Sequence, residues 1–368
     1  MNNQEYKEPK LRDTFKEDFK RKDLFETLRK EFHDLKQYFL DDYKKEQLRR
    51  MNFVKRFFVQ SWWLLKILFL RLTPLRRVLL LIGVILIVSD FNIQYQHLNF
   101  NSNNDIIGGL LILFVLMLEL KDKLLAKTEL QEGKSVQKAL MPAANPEIDG
   151  WDICLKSFPA NDVGGDLIDF FKIDDKKYAL ILGDLSGKGL GAALMMSKLQ
   201  STIRALYQDF NDISKLAEKV NQIFYRDSLP KQFASLIYMV LNTADNTLEI
   251  VNAGHLPPLM VENGEIKSLG KGGIAIGLSK NSSYSKQILL LKDNDELLVF
   301  SDGVTETMNE YDQQFGIKRL IKLIGNLYTL NSKSQMDRII SNLNLYRGNA
   351  SIHDDVSLLI IKKQSSHR

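Results

Sequence analysis

The sequence predicts an α+β chain in which a helical, membrane-associated N-terminal region precedes a domain of antiparallel strands with segregated helices. Three observations lead there. From Trp151 onward, short strand-like runs alternate with helical patterns, and the last two helical patterns sit together late in the chain. Two of the strand-like runs, 233–242 and 247–252, are joined by Ala244, Asp245 and Asn246 and read as a hairpin. The longest apolar runs fall before residue 120, in a part of the chain that is otherwise crowded with charge.

The chain has 368 residues, a net charge of +5, and hydrophobic and charged fractions of 45% and 26%. These averages hide the asymmetry between its ends. The basic residues are interspersed with acidic ones and flank the apolar runs, which suits a membrane surface and speaks against nucleic acid as a partner. Cys154 is the single cysteine, so an intrachain disulfide and a multi-cysteine zinc site are both excluded. That fits a reducing compartment for the folded domain, and the cytoplasm is the expected setting.

Residues 1–57 form a charged amphipathic region in which Phe25, Leu28, Phe32, Leu35 and Phe39 make one helical stripe. That stripe fits a coiled-coil seam, a helix lying on lipid, or a solvated helix packing on a neighbour. Residues 58–120 are the expected membrane region. Its first stretch, Val59 to Leu70, carries Trp62, Trp63 and Lys66 and suits the interface, whereas Val78 to Val88 and Ile106 to Leu118 form the cores of a two-helix hairpin at about 78–93 and 106–120. Arg71, Arg76 and Arg77 precede the hairpin and Lys121, Lys123 and Lys127 follow it, while 90–105 contains no Lys or Arg. Both termini are therefore expected at the cytoplasmic face of the membrane. The competing reading is two buried helices of a soluble domain.

Residues 121–141 continue as a helical linker, with Leu120 and Leu124, then Val136 and Leu140, one helical turn apart. This face, over 119–141, is a candidate for homodimer pairing. Pro142 and Pro146 end the helix and open the domain at 142–363. Strands are expected at 151–158, 177–183, 233–242, 247–252, 287–291, 296–301 and 355–362, and helices at 189–209, 212–227, 315–328 and 333–346.

Acidic residues mark the chemistry. Asp166 lies in Val163-Gly-Gly-Asp-Leu-Ile-Asp169, Asp184 closes Ala179-Leu-Ile-Leu-Gly-Asp184, Asp302 follows Leu297-Leu-Val-Phe-Ser301, and Asp354 stands with Asp355 before the last strand. A carboxylate at the end of an apolar strand is held rigidly where desolvation is costly without a cation or donor. A set of carboxylates without matching His or Cys suits a hard ion such as Mg²⁺ or Mn²⁺. Any one Asp-Gly or Gly-Asp pair also fits plain turn chemistry. His255 within Gly-His-Leu-Pro-Pro reads as a rigid turn or as a general acid, and Ser301 as a turn residue. Ser186-Gly-Lys-Gly189 lacks the Gly-x-x-x-x-Gly-Lys-Ser/Thr pattern of a phosphate loop and reads as a tight turn.

Taken in order, these segments resemble a known family. Val163-Gly-Gly-Asp166-Leu-Ile-Asp169-Phe-Phe171, Gly183-Asp-Leu-Ser-Gly-Lys-Gly189, Ala192-Ala-Leu-Met195, Asn252-Ala-Gly-His-Leu-Pro-Pro258, Ser301-Asp-Gly-Val-Thr-Glu306 and Asp354-Asp-Val-Ser-Leu358 resemble the successive motifs of the SpoIIE-like branch of the metal-dependent protein phosphatase 2C family. Val136-Gln-Lys-Ala-Leu-Met-Pro142 resembles the helix that leads into such domains. The resemblance implies an antiparallel β-sandwich between helical layers and a centre of two Mn²⁺ or Mg²⁺ ions. It implies Asp184 as the bridging ligand, Asp166, Asp302 and Asp354 and the Leu185 carbonyl as further ligands, and Asp169 and Asp355 behind them. It also implies hydrolysis of phosphoserine or phosphothreonine on a regulatory protein by a metal-activated water, in bacterial signalling. Gly191 stands where the family often has proline, and Leu167 and Ile168 where aromatic residues are common; neither removes an expected ligand. An inactive phosphatase-like scaffold that binds a phosphoprotein would show a lost carboxylate, and a nucleotidyl enzyme would need a triphosphate loop that the sequence lacks.

Overall fold

In the computed structural model, residues 42–49, 51–94 and 104–365 are described. The stripe at Phe25 to Phe39 and most of the 90–105 connection lie outside them. Contacts divide the chain between Leu124 and Leu125 into two units.

The first unit is helical. Helix α1 (Asp42–Arg49) packs on α2 (Phe53–Arg71) through Leu48 and Leu64, with Val59, Trp63 and Ile67 around them. Pro74 opens α3 (Pro74–Gln94), where its missing N–H is harmless. The Arg77 guanidinium donates to the carbonyls of Leu70 and Leu72 at 2.6 and 2.8 Å, satisfying acceptors that the end of α2 leaves free. Helix α4 (Asn104–Leu140) begins by running back along α3. Gly83 and Gly108 make this possible, because a Cβ on Gly108 would lie 2.5 Å from the Gly83 carbonyl oxygen. Arg76 fastens the same pair through Glu119 and Asp122, at 2.6 and 2.7 Å.

Among the described residues, no helix is long and apolar enough to cross a membrane. The pair expected to span at about 78–93 and 106–120 is a helical hairpin, but the structure does not establish it as a crossing. Arg76 and Arg77 sit in the first turn of α3, and charge returns to α4 at Glu119, so the uncharged stretch of α4 covers only 106–118.

The second unit is built on two antiparallel sheets. One has the order β1 (Glu147–Ile148), β2 (Trp151–Phe158), β11 (Val356–Lys363), β10 (Glu296–Phe300), β7 (Leu259–Glu262), β8 (Glu265–Ser268). The other has the order β3 (Asp166–Lys172), β4 (Lys177–Leu185), β5 (Ala234–Asn242), β6 (Thr247–Ala253), β9 (Lys286–Leu290). Alternate residues of each strand go to different layers. Leu180, Leu182, Ile237, Met239, Leu297, Val299, Leu359 and Ile361 fill the space between the sheets. Ala179, Ile181, Leu236 and Tyr238 face α5 (Leu190–Leu206) and α6 (Ile213–Asp227), while Leu298, Phe300, Leu358 and Ile360 face α8 (Gly316–Leu327) and α9 (Ser332–Arg347). Because both faces of the central strands are covered, their sequences read as continuous apolar runs. The expected strands and helices are all present within a few residues. Strand β3 and the short α7 (Asp302–Glu306) are additions, as are β1, β7 and β8.

Replacing Gly108 with Leu should separate α3 from α4, whereas Gly109→Leu should not, since a Cβ there meets nothing within 4 Å. Cross-linking of Arg76→Cys to Glu119→Cys with a short bismaleimide reports the difference: it should fall sharply only in the Gly108 variant.

Candidate metal centre

Strand register brings the first acidic pair together. Asp166 opens β3 directly opposite Asp184 near the end of β4, and Asp184 is in turn opposite Ser235 on β5. These three residues form one rung across the sheet. Ile168, Leu182 and Ile237, two positions along their strands, point between the sheets, so the rung points there too. From the other sheet, Asp302 follows β10 and Asp354 precedes β11, strands paired with Phe300 opposite Leu358. The four carboxylates thus come from four strand ends at one end of the sandwich.

Their electrostatics show that they share one environment. Burial pushes the Asp166 carboxyl well above its ordinary range, with Ser357 opposing and Asp184 and Asp355 adding repulsion. Burial pushes Asp184 up to about 7, with repulsion from Asp302, Asp354 and Asp355 behind it. Asp302 is raised by burial and then by Asp354 and Glu306. Groups that make one another bind protons more tightly also make a place that attracts cations. The Oδ2 of Asp166, inside a residue only 5% exposed, is buried with no hydrogen-bond partner. The donor set is all oxygen, which fits Mg²⁺ or Mn²⁺. Among the described residues, no three or more His, Cys, Asp or Glu side chains stand close enough together to hold a metal ion as they are placed.

Asp355 does something different from its neighbour. Its Oδ1 accepts from the Ala160 N–H at 2.6 Å, and its Oδ2 accepts from those of Gly165 and Asp166 at 2.5 and 3.3 Å. The loop before Asp166 is held on its other side by Gln137 near the end of α4. Gln137 Nε2 donates to the Gly164 carbonyl at 2.8 Å, and its Oε1 accepts from the Gly164 N–H at 3.1 Å. Gly303 is glycine because the chain passes close by: a Cβ there would be 2.0 Å from the Asp355 carbonyl oxygen. Gly187 and Gly189, with φ of 111° and 78°, turn the chain after Asp184 so that Lys188 Nζ reaches the His353 carbonyl at 2.5 Å and Asp354 Oδ2 at 3.1 Å.

One expected residue is placed elsewhere. Asp169 is three positions from Asp166 and so on the opposite face of β3, where Arg204 of α5 grips it with bonds of 2.8 and 2.6 Å. It is an anchor for α5 and does not stand behind the carboxylate cluster. His255 sits in a turn clasped by Asn252, which accepts from its N–H at 2.8 Å and donates to its carbonyl at 3.1 Å. The ring Nδ1 lies 2.9 Å from Ser235 Oγ, and burial lowers its pKa to about 4, with the Phe300 backbone opposing. Ser235 and Arg204 carried no signal of their own in the sequence; strand pairing and a helix face select them.

A family model described as Stage II sporulation protein E (SpoIIE) matches residues 174–364. The chain belongs to the SpoIIE family. Protein IcfG of Synechocystis sp. is 26% identical over 264 residues, covering 64% of this chain and 41% of that one. Phosphoserine phosphatase RsbU of Bacillus subtilis is 25% identical over 242 residues, covering 65% of this chain and 71% of that one. The chain therefore spans less than half of the first relative and under three-quarters of the second. Among solved structures, the SiaA-PP2C domain of Pseudomonas aeruginosa superposes with a TM-score of 0.57 at 18% identity, covering 65% of this chain and 97% of that domain, a likeness of fold. The SpoIIE family match starts after Asp166 and Asp169, so those two positions rest on the geometry above.

If Asp169 is an anchor, Arg204→Ala should lower unfolding free energy by about 2 kcal/mol, the scale of a lost charged hydrogen-bonded pair. Asp184→Asn in metal-free buffer should leave the denaturation midpoint unchanged or raise it, since it relieves repulsion. A matched loss in both variants would put the two aspartates in the same role.

Proposed function

We propose that this chain is a metal-dependent protein serine/threonine phosphatase that acts on a phosphorylated regulatory protein at the cytoplasmic face of a membrane. The observation that carries the reading is the convergence of Asp166, Asp184, Asp302 and Asp354 from four strand ends, with a buried, unpartnered oxygen among them. Asp184 feels each of the others, so these four carboxylates together would hold the divalent metal. The Leu185 carbonyl, next along the same strand end, supplies a further oxygen. Divalent ions held there supply Lewis-acid polarisation of phosphoryl oxygens and activation of a water.

The chain's own groups then have separable tasks. Asp355 and Gln137 hold the loop that sets Asp166, and Lys188 bears on Asp354. Ser301, the hydroxyl that directly precedes Asp302, is not free to attack: it is buried, donating to the Asp355 carbonyl at 3.2 Å and accepting from the Ser357 N–H at 2.9 Å. His255, kept neutral by burial, is not a proton donor near pH 7. Water is the attacking group that remains. Membership of the SpoIIE family, and the similarity to a chain named as a phosphoserine phosphatase, support the same substrate chemistry.

Attachment to a membrane is supported by the surface of α2, where Phe53, Phe57, Phe58, Trp62 and Leu65 are exposed beside Lys55, Arg56 and Arg71. The exposed Leu120, Leu125 and Val136 of α4 support pairing of two copies along 119–141. The second reading is a phosphoprotein-binding module without turnover; the presence of all four carboxylates speaks against it, and metal titration separates the two.

With Mn²⁺ and a phosphoserine peptide, the full chain should release phosphate, and Asp184→Asn and Asp302→Asn should each cut turnover by about 100-fold or more, with circular dichroism unchanged; each 1.36 kcal/mol of barrier is about tenfold in rate. His255→Ala should cost far less than either. Binding of the peptide without release at any Mn²⁺ concentration would establish the inert module instead. In flotation with anionic vesicles the full chain should rise with the lipid, and replacing Trp62 and Phe58 with Ser should leave more of it in the dense fraction.

A further inference from the structure

A second feature opens beside the acidic cluster and shares a wall with it. Between α7, α9 and the segment leading into β11 lies a cavity of about 210 Å³ whose lining includes Gly303 and Asp354. One face of α9 supplies Ile340, Leu343, Asn344 and Arg347, spaced one and two turns apart, and Ile352 and Val356 close the opposite side. An apolar cavity of about 150 Å³ is enough to hold a benzene ring, so this one can receive a branched or aromatic side chain.

The cavity is built to persist. Gly348, at φ 59°, turns the chain off α9, and Glu310 Oε1 accepts from the Asn349 N–H at 2.9 Å. Tyr346 packs edge-on against Phe315 with ring centres 5.2 Å apart, and its hydroxyl donates to the Gln313 and Gln314 carbonyls. Within this frame, the Arg347 Nε–H is buried without a hydrogen-bond acceptor. Buried donors in native proteins almost always have partners, so the position is suited to an acceptor that arrives with a ligand.

We propose that this cavity is a specificity subsite that takes an apolar side chain lying near the phosphorylated serine or threonine of the protein substrate. The inference rests on the phosphatase reading and adds to it which substrates are preferred. A phosphoserine seated at the carboxylate cluster places its flanking residues against the wall that contains Gly303 and Asp354, and the space beyond that wall is lined largely by aliphatic groups. Glu306 and Asp354 on the same side oppose the pull that the Arg347 guanidinium would exert on an acidic side chain, so an apolar group is the favoured occupant. Arg347 completes the match by donating its free Nε–H to a backbone carbonyl of the docked segment. The occupant is thus a phosphopeptide with a leucine, isoleucine, methionine or phenylalanine at one fixed distance from the phosphorylated residue.

The test uses the full chain with Mn²⁺, p-nitrophenyl phosphate, and phosphoserine peptides in which each flanking position in turn is Leu, Phe, Ala or Asp. At one position, Leu or Phe should exceed Ala in kcat/KM by about tenfold or more, chiefly through KM, with Asp poorest. Asn344→Trp, which fills the cavity from an exposed helix position, and Ile352→Asp, which makes its wall acidic, should each bring that ratio to within about twofold of unity. The ratio is read within each variant, so a change in overall rate does not enter it. Hydrolysis of p-nitrophenyl phosphate and peptides with no apolar preference at any position, or a preference that survives both variants, overturns the subsite and leaves the phosphatase reading standing. No hydrolysis of p-nitrophenyl phosphate or of any peptide overturns both.

Discussion

The carboxylate of Asp355 ties the two sheets together at the end where the acidic side chains collect. It stands at the head of β11 in one sheet, and the N–H groups of Ala160, Gly165 and Asp166 that it binds lead into β3 of the other. Charge-assisted bonds of this kind are stronger than neutral ones, and here they satisfy backbone donors that a buried loop would otherwise leave open. They also hold two repelling carboxylates close. Asp166 sits where burial and Asp184 both disfavour its charge, and its backbone is fixed by the very group that adds to that repulsion. The strain of assembling negative charge is carried by bonds to the main chain, which leaves the side-chain oxygens of Asp166 and Asp184 for other work.

Much of this was legible in the sequence because the carboxylates border apolar strands. Asp184 and Asp302 follow runs that could only be buried strands, so their place at a sheet edge could be anticipated, and the order of the motifs pointed to the family. Strand β3 was less visible. Its residues Asp166 to Lys172 interleave two acidic groups with apolar ones, and such a run reads as a loop motif until pairing with β4 is known. The two aspartates of that strand also show what a motif cannot convey. Asp166 and Asp169 sit three residues apart in one conspicuous segment, yet the alternation of a strand sends one to the carboxylate cluster and the other to Arg204 on the helical layer. Asp355 looked secondary beside Asp354, but its bonds to three N–H groups make it the organiser of the loop.

The N-terminal unit was the harder part for a related reason. Apolar runs of this length fit both a bilayer and a helix–helix contact, and composition does not choose between them. The meeting of Gly83 with Gly108 and the grip of Arg76 on Glu119 and Asp122 show that α3 and α4 are partners of one another. Small residues at a close helix crossing and a fork of bonds at its end define a pairing. They leave the outward residues to decide the surroundings, and those of α2 and of α4 as far as Leu120 are largely apolar.

Gln137 gives α4 a direct hold on the catalytic end of the domain. Both hydrogen-bonding groups of its amide are matched to both groups of the Gly164 peptide, so the last turns of the helix and the loop before Asp166 are joined with the geometry of a strand pair. Gly164 itself has no room for a side chain, since a Cβ would lie 2.9 Å from Asp355 Oδ2. The loop is therefore clamped between a side chain that belongs to the helix and one that belongs to β11. A second bond, from Gln200 of α5 to the Leu140 carbonyl at 3.0 Å, holds the end of the helix in register. Shifting the end of α4 by one residue would break the pair at Gly164 and leave a buried peptide half satisfied beside Asp166, a penalty on the order of 1–3 kcal/mol for each unpaired group. An energy of that size is enough to hold the loop before Asp166 in one arrangement against the end of this helix.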